Sequence, residues 1–271
     1  MNFWRNLKKM FITKKCVICD DPISYEEKFP ICNDCIEEWD KYVTMKCNTC
    51  GKNSDSCTCI PKDLKKIVPF ACWSIFYTGK GQHIDSPDRI VFNLKESNAK
   101  DIYDFCANRI VKSIKTHCKI HNVNYKEFAV TYTPRSPDKI IEFGFDQSKE
   151  LAKVIAKKLD IKFVTTLENN GSKEQKKLTK AERLENARKS YELIEDFQSV
   201  YDKLFIVDDV LTSGATLYHC TKLLLESGTK VVVPVTYCKD NIYKGEKENA
   251  KGNTKHNLTR IVKGIVRNGA Q

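Results

Sequence analysis

The sequence has no apolar run long enough to cross a membrane: in 271 residues nothing approaches the ~18 consecutive apolar residues a helical span requires. A continuous hydrophobic segment near the start is missing too. MNFWRNLKKMFITKK breaks up its apolar residues with five Lys/Arg and offers no small-residue cleavage site, which argues against a secretory leader and for a cytoplasmic protein. Negative charge is scarce. Asp and Glu number 35 against 46 Lys and Arg, a formal charge of +11, and part of the excess sits at the ends. Residues 1–15 carry no acid, and residues 239–271 carry eight Lys/Arg against three acids. A net positive chain suits phosphorylated partners, nucleic acid among them, but lysines that only keep a surface hydrated would give the same count.

Cysteine is abundant and unevenly spread. Eight of the thirteen lie in one short stretch, as Cys16-x2-Cys19, Cys32-x2-Cys35, Cys47-x2-Cys50 and Cys57-x-Cys59. The total is odd and no leader points to an oxidising compartment, so metal binding in a reducing cytosol explains the pattern better than disulfides. Each close pair puts two thiolates on one turn, and a tetrahedral Zn²⁺ takes two such pairs at about 2.3 Å per bond. Consecutive pairing groups Cys16, Cys19, Cys32 and Cys35 on one ion, and Cys47, Cys50, Cys57 and Cys59 on the other. A cross-brace would interleave them; consecutive pairing closes shorter loops at lower entropic cost. A segment of about 45 residues builds little core alone, so metal would supply its folding energy. Cys72, Cys106, Cys118, Cys220 and Cys238 stand in apolar or helical contexts and read as core thiols.

The most informative segment is KLFIVDDVLTSGATL, residues 203–217. Leu204 to Val207 read as a buried strand with Asp208 and Asp209 at its carboxyl end. Thr212, Ser213, Gly214, Ala215 and Thr216 can turn tightly and aim backbone N–H groups at an anion, and a helix pattern starts near Ala215. In open α/β sheets ligands sit beyond the carboxyl ends of strands, with phosphate on the next helix N-terminus. An acid pair followed by such a loop suits a sugar phosphate. Its carboxylates would accept from ribose hydroxyls or reach Mg²⁺ through water, and the loop would hold the 5′-phosphate.

Elsewhere strands are expected over 67–77, 128–133, 161–165 and 230–237, and helices over 89–117, 146–159 and the stretch ending at Ser227 before Gly228. Their alternation argues for a parallel sheet with right-handed crossovers. The expected division is a basic amphipathic segment over 1–15, in which Phe3, Trp4 and Phe11 interleave with basic residues, a double zinc-ribbon module over 16–60, an α/β domain over 67–238, and a poorly ordered basic tail over 239–271.

The 203–217 segment resembles the 5-phosphoribosyl-1-pyrophosphate (PRPP) motif of type I phosphoribosyltransferases, with Ser213 a mild departure. The wider chain resembles the ComF family, associated with DNA uptake in naturally competent bacteria, in which a zinc ribbon precedes a phosphoribosyltransferase-like domain. The matching residues are Pro134, Gly144, Phe145 and Gln147, then Gln175, Leu178, Arg183 and Asn186, then Asp208 to Thr216, with FNLKE around Lys95 like the family's Leu-Lys element. The chain departs from that pattern at Tyr132, Phe143 and Asp146, and Asn169 and Asn170 stand where arginine is usual. Fewer arginines weaken a hold on pyrophosphate, for which Lys139 and Lys173 are partial substitutes.

The resemblance implies a type I phosphoribosyltransferase-like domain with a parallel sheet, preceded by a small zinc-ribbon module. It further implies PRPP or ribose 5-phosphate as ligand with Mg²⁺, Asp208 and Asp209 as the catalytic candidates, and single-stranded DNA and proteins of the DNA-uptake machinery as partners. No base-binding hood is recognisable. Two other readings therefore stay open: a conventional nucleotide-salvage phosphoribosyltransferase, and a non-catalytic zinc-ribbon nucleic-acid binder.

Overall fold

The computed structural model describes residues 14–24, 27, 30–77, 86–171, 190–195, 197 and 200–241. The expected basic helix at the start, the charged loop bearing Lys173, Gln175, Leu178, Arg183 and Asn186, and the tail beyond residue 241 lie outside the described residues. The described residues up to Asp240 belong to one compact unit.

Four strands make the central sheet: β3 (Cys72–Tyr77), β4 (Ala129–Tyr132), β7 (Lys203–Leu211) and β8 (Val231–Asp240). They run parallel in the order β3-β8-β7-β4, with Tyr132 opposite Val207 and Asp208 opposite Thr236. Near-continuous apolar runs, such as Leu204 to Val207 and Val231 to Val235, form these strands because both faces of the sheet are covered. One face carries α3 (Ser86–Glu96), α4 (Lys100–Ile120) and α6 (Gln147–Leu159), which pack with Phe205, Val207, Val233 and Val235. The other face takes α7 (Ala215–Glu226), whose Leu217, Cys220 and Leu224 join Leu204, Ile206 and Val232.

The expected parallel α/β architecture is therefore present, with local differences. The single helix expected over 89–117 is two, broken at residues 97–99, and α4 continues to Ile120. The strand expected over 161–165 shrinks to one bridge from Phe163 to Val130; the segment after it turns instead into a hairpin of β5 (Leu167–Asn169) and β6 (Tyr191–Leu193). An additional helix beyond those expected is α5 (Pro137–Phe143), started by Pro137 in its first turn and ended by Gly144 at φ 79°, a left-handed value glycine adopts without strain. The strand expected to stop at Tyr237 runs on through Asp240. The five core thiols are buried as expected.

The cysteine-rich segment is built into both cores. β1 (Lys14–Lys15), β2 (Pro22–Ile23) and α1 (Asn33–Val43) bring Cys16, Ile18, Cys35 and Trp39 into the α3/α4 face. Trp39 donates its indole N–H to the Tyr237 hydroxyl at 3.2 Å, meets Phe105 edge-on, and lies under the Arg109 guanidinium at 3.9 Å. Cys47, Cys57 and Leu64 of α2 (Lys62–Lys65) join the α7 face. Between the two, Ser54 donates to the Ser74 carbonyl at 3.0 Å, which occupies a backbone acceptor on edge strand β3.

Candidate functional site

Two groups of four thiols are assembled, and their membership follows consecutive pairing. Cys16, Cys19, Cys32 and Cys35 form one, Cys47, Cys50, Cys57 and Cys59 the other, with all sulfurs in each within 4.8 Å of one another. The turns are alike. Backbone N–H groups of Ile18, Thr49 and Cys59 each point at the sulfur two residues back at 3.4 Å, and the residue after each first pair takes a left-handed φ, Asp20 at 65° and Gly51 at 69°. Sulfur separations of 3.7 Å (Cys19 to Cys32) and 3.6 Å (Cys50 to Cys57) match the edge of about 3.8 Å that four bonds of 2.3 Å impose on a tetrahedron. No disulfide joins any of these cysteines. Burial raises the Cys47 thiol, but amide donors from Cys50 and Thr49 and neighbouring thiols outweigh it and bring the group to about 6. The donor set and spacing fit a thiolate-bound metal.

The second site is a cleft of about 510 Å³ at the carboxyl ends of β4 and β7. Its position follows from topology. After β4 the chain leaves towards α6 on one face, and after β7 it leaves towards α7 on the other, so a crevice opens between neighbouring strands. Thr133 to Ser136 line one side; Asp208, Asp209, Val210, Thr212 and Thr216 line the other. The acid pair belongs to β7 itself, because the strand extends through Leu211 instead of ending at Val207. Helix α7 begins after Gly214, whose φ of 75° makes it the N-cap with no side chain bonded to the first amides, apart from a 3.5 Å approach of the Ala215 N–H to Ser213 Oγ. Thr212 and Thr216 reach the cleft, Ser213 is exposed, and Ala215 is half-buried.

Charge is arranged across this cleft. Asp208 Oδ1 accepts from the Asp209 N–H at 2.9 Å and from Ser148 Oγ at 3.4 Å. Burial, then the adjacent Asp209 charge, pushes the Asp208 carboxyl up to about 7 against the pull of the Asp209 amide, Thr133 and Lys95. Asp209 is buried and its Oδ2 lies 3.2 Å from Lys95 Nζ at the end of α3. Arg135 braces that lysine: its Nη1 donates to the Lys95 carbonyl at 3.1 Å and to that of Phe145 at 3.4 Å, and its guanidinium lies 4.4 Å over Phe143. Asp146 caps α6 through the Lys149 N–H at 3.1 Å and also takes the Arg135 N–H at 2.8 Å. Burial, followed by opposing amide donors, leaves the Asp146 carboxyl raised.

The departures from the expected motif have structural uses. Phe143 is the platform for Arg135, and Asp146 ties the turn. Asn169 donates to the Pro134 carbonyl at 3.1 Å, joining the β5–β6 hairpin to the loop after β4. Asn170 donates instead to Glu192 at 3.0 Å. Sequence reasoning missed Arg135, Ser148 and Tyr191 as cleft residues, and placed Lys95 by resemblance alone. Packing across the fold makes each of these a cleft neighbour, and no local pattern marks it.

An acid-floored crevice at the switch point of a parallel sheet, joined to two four-thiol groups, defines the class of α/β protein. Comparison with known proteins narrows it. The chain is 24% identical over 204 residues to the Competence protein ComFC of Streptococcus pneumoniae (strain ATCC BAA-255 / R6), covering 74% of this chain and 84% of that relative. It is similar to a solved allosteric regulatory enzyme of purine biosynthesis (18% identity, TM-score 0.35, 55% of this chain and 30% of the other). It is also similar to a hypoxanthine phosphoribosyltransferase from Staphylococcus aureus (15% identity, TM-score 0.31, 50% of this chain and 64% of the other). The chain thus spans less than two thirds of either solved protein. No protein-family model matches it. No helix among the described residues is long and apolar enough to cross a membrane.

Proposed function

We propose that this is a ComF-type protein with a phosphoribosyltransferase-like site that binds PRPP or ribose 5-phosphate with Mg²⁺ in the Asp208–Thr216 crevice, holds structural Zn²⁺ in its two Cys₄ groups, and serves DNA uptake with single-stranded DNA as partner. The observation that carries the reading is the convergence in one cleft of the acid pair, the uncapped start of α7, and the cations Lys95 and Lys139. Asp208 and Asp209 accept from ribose hydroxyls, and free amides at the start of α7 face the 5′-phosphate. Lys95 and Lys139 offset pyrophosphate charge as it develops at the leaving group. When bound, Mg²⁺ supplies further charge neutralisation there. The ComFC relative supports assignment to DNA uptake.

Calorimetry with Mg²⁺ and PRPP tests the site. Wild type is expected to bind, whereas Asp209→Ala and Gly214→Val are each expected to lose about ten-fold or more in affinity. A Cβ at Gly214 would stand 3.0 Å from Pro61 Cγ, and the left-handed φ adds strain. Equal binding by all three proteins removes the assignment.

Single-stranded DNA binding rests on the +11 charge and on the ComF resemblance, since Phe3, Trp4 and Phe11 lie outside the described residues. Fluorescence anisotropy with a labelled oligonucleotide is expected to show binding that weakens steeply between about 50 and 200 mM salt, as counterion release requires. Millimolar affinity at low salt, or a flat salt response, leaves the lysines as surface solvation only.

A further inference from the structure

The chain leaves the second four-thiol group through Cys59, Ile60 and Pro61, and this exit lies directly on the loop that starts α7. Pro61 Cγ and Cβ sit 3.0 and 3.3 Å from the position a Cβ would take at Gly214, and Leu211 Cδ1 lies at 3.5 Å on the same spot. Gly214 is buried although Thr212 and Ser213 on its N-terminal side are exposed. Pro61 then N-caps α2, with its carbonyl accepting from the Lys65 N–H at 2.9 Å, and α2 packs on α7. Leu64 is fully buried beside Leu211 and Leu217, with Cys59 and Ile60 against the same cluster. Thiol group, exit segment and loop are therefore one packed body.

We propose that the second Cys₄ group positions the ligand loop through Pro61, so that metal at Cys47, Cys50, Cys57 and Cys59 and a sugar phosphate at Thr212–Thr216 favour each other's binding. The physical argument is one of ordering. Metal fixes the turn carrying Cys57 and Cys59, and with it the residue two positions on. Pro61 in turn closes the space behind Gly214 and holds the loop where its amides face the cleft. Without metal, Cys59–Pro61 is free to leave, and the loop gains backbone freedom that a ligand must then remove on binding. Coupling of this kind is reciprocal in binding free energy. The first Cys₄ group packs on the opposite face of the sheet, where the Val17 carbonyl accepts from Asn93 Nδ2 of α3 at 2.6 Å.

The ligand half of this inference rests on the sugar-phosphate reading; the mechanical half does not, and hydrogen–deuterium exchange reads it alone. In zinc-loaded full-length protein, amides over 211–218 are compared among wild type, Cys59→Ser and Pro61→Gly, with β4 amides as the control for global unfolding. Pro61→Gly keeps all eight thiols and is the informative variant if Cys59→Ser does not fold. Pro61→Gly is expected to exchange roughly ten-fold faster over 211–218 with β4 unchanged, and Cys59→Ser to exchange at least as much faster there, with a smaller increase in β4 as the whole unit loses stability. Pro61→Gly is also expected to retain two zinc equivalents. Unchanged exchange over 211–218 in Pro61→Gly overturns the proposal.

Calorimetry with ribose 5-phosphate then separates the two readings. If the loop loosens and wild type gives no ribose 5-phosphate heat, the positioning of the loop by Pro61 stands and the ligand half falls with the sugar-phosphate assignment. If wild type binds, Gly214→Ala is expected to bind about ten-fold more weakly and to recover part of that loss in the Pro61→Gly background, where the clash is gone and only the left-handed φ remains. Strictly additive losses count against Pro61 as a positioning residue.

Discussion

Protein purified from zinc-replete cells is expected to carry two Zn²⁺ per chain, and Cys57→Ser to carry one. Cys57 and Cys16 are wholly buried, each within a core cluster and each within a thiol group. A structural Zn²⁺ is worth about 10–16 kcal/mol in small zinc peptides at neutral pH. A whole domain's net stability is about 5–15 kcal/mol. Zinc stabilises by mass action, so at low free metal only part of that binding energy appears as stability, and losing one ion is expected to lower the midpoint markedly while leaving a folded chain. The cost is not confined to the cysteine-rich segment, because Trp39 reaches Tyr237 of β8 and Leu64 packs beside Leu217 of α7. Chelation is expected to lower the thermal midpoint of the whole compact unit, not to melt an independent module. Inductively coupled plasma analysis counts the metal, and scanning calorimetry with and without chelator follows the fold. Zinc-free protein, or disulfides mapped among the eight thiols, is the contrary result.

Much of this was legible from local pattern, and what was not has a common physical cause. Cysteine spacing gave the two thiol groups because the ligands of each group are close in sequence, and the geometry brings the same sets together. The strand and loop of 203–217 were readable because acids, small residues and a helix start stand in one run. Lys95, Arg135 and Ser148 were not readable as a set, since they meet Asp208 and Asp209 only after α3, the β4 turn and α6 converge. The break between α3 and α4 falls in the polar stretch from Lys95 to Asp101, where apolar spacing lapses between Leu94 and Ile102 and only the flanking helical patterns suggest one continuous helix. The misjudged strand at 161–165 shows the reverse. Its apolar residues are genuine, but the sheet edge at β4 accepts a bridge at Phe163 before the chain turns away. Tertiary pairing, not propensity, decides such short segments.

Asp208→Asn is expected to stabilise the protein above pH 7 while abolishing a pH-dependent part of its ligand affinity. The native carboxyl titrates near 7 against an ordinary value of 3.8, raised by burial and then by Asp209. Between those values the folded chain binds more protons than the unfolded one, so its stability falls as pH rises from the lower to the higher. The amide cannot ionise and escapes that loss. Because part of Asp208 stays open to the cleft, the gain at pH 8 is expected to be modest, about 1 kcal/mol or about 3 °C in midpoint, and absent at pH 4. Binding runs the other way. A ligand with Mg²⁺ requires the ionised carboxylate, and the ionised fraction of a group with pKa 7 grows about ten-fold between pH 6 and pH 8. Wild-type affinity for PRPP is expected to rise by that factor over the interval, beyond the change caused by the ligand's own phosphates, which Asp208→Asn shares. Thermal scans from pH 4 to 8 and calorimetry at pH 6 and 8 on both proteins measure the two effects. A variant that is less stable than wild type at pH 8, or one that keeps the full pH dependence of affinity, would show that Asp208 is not the titrating group of the cleft.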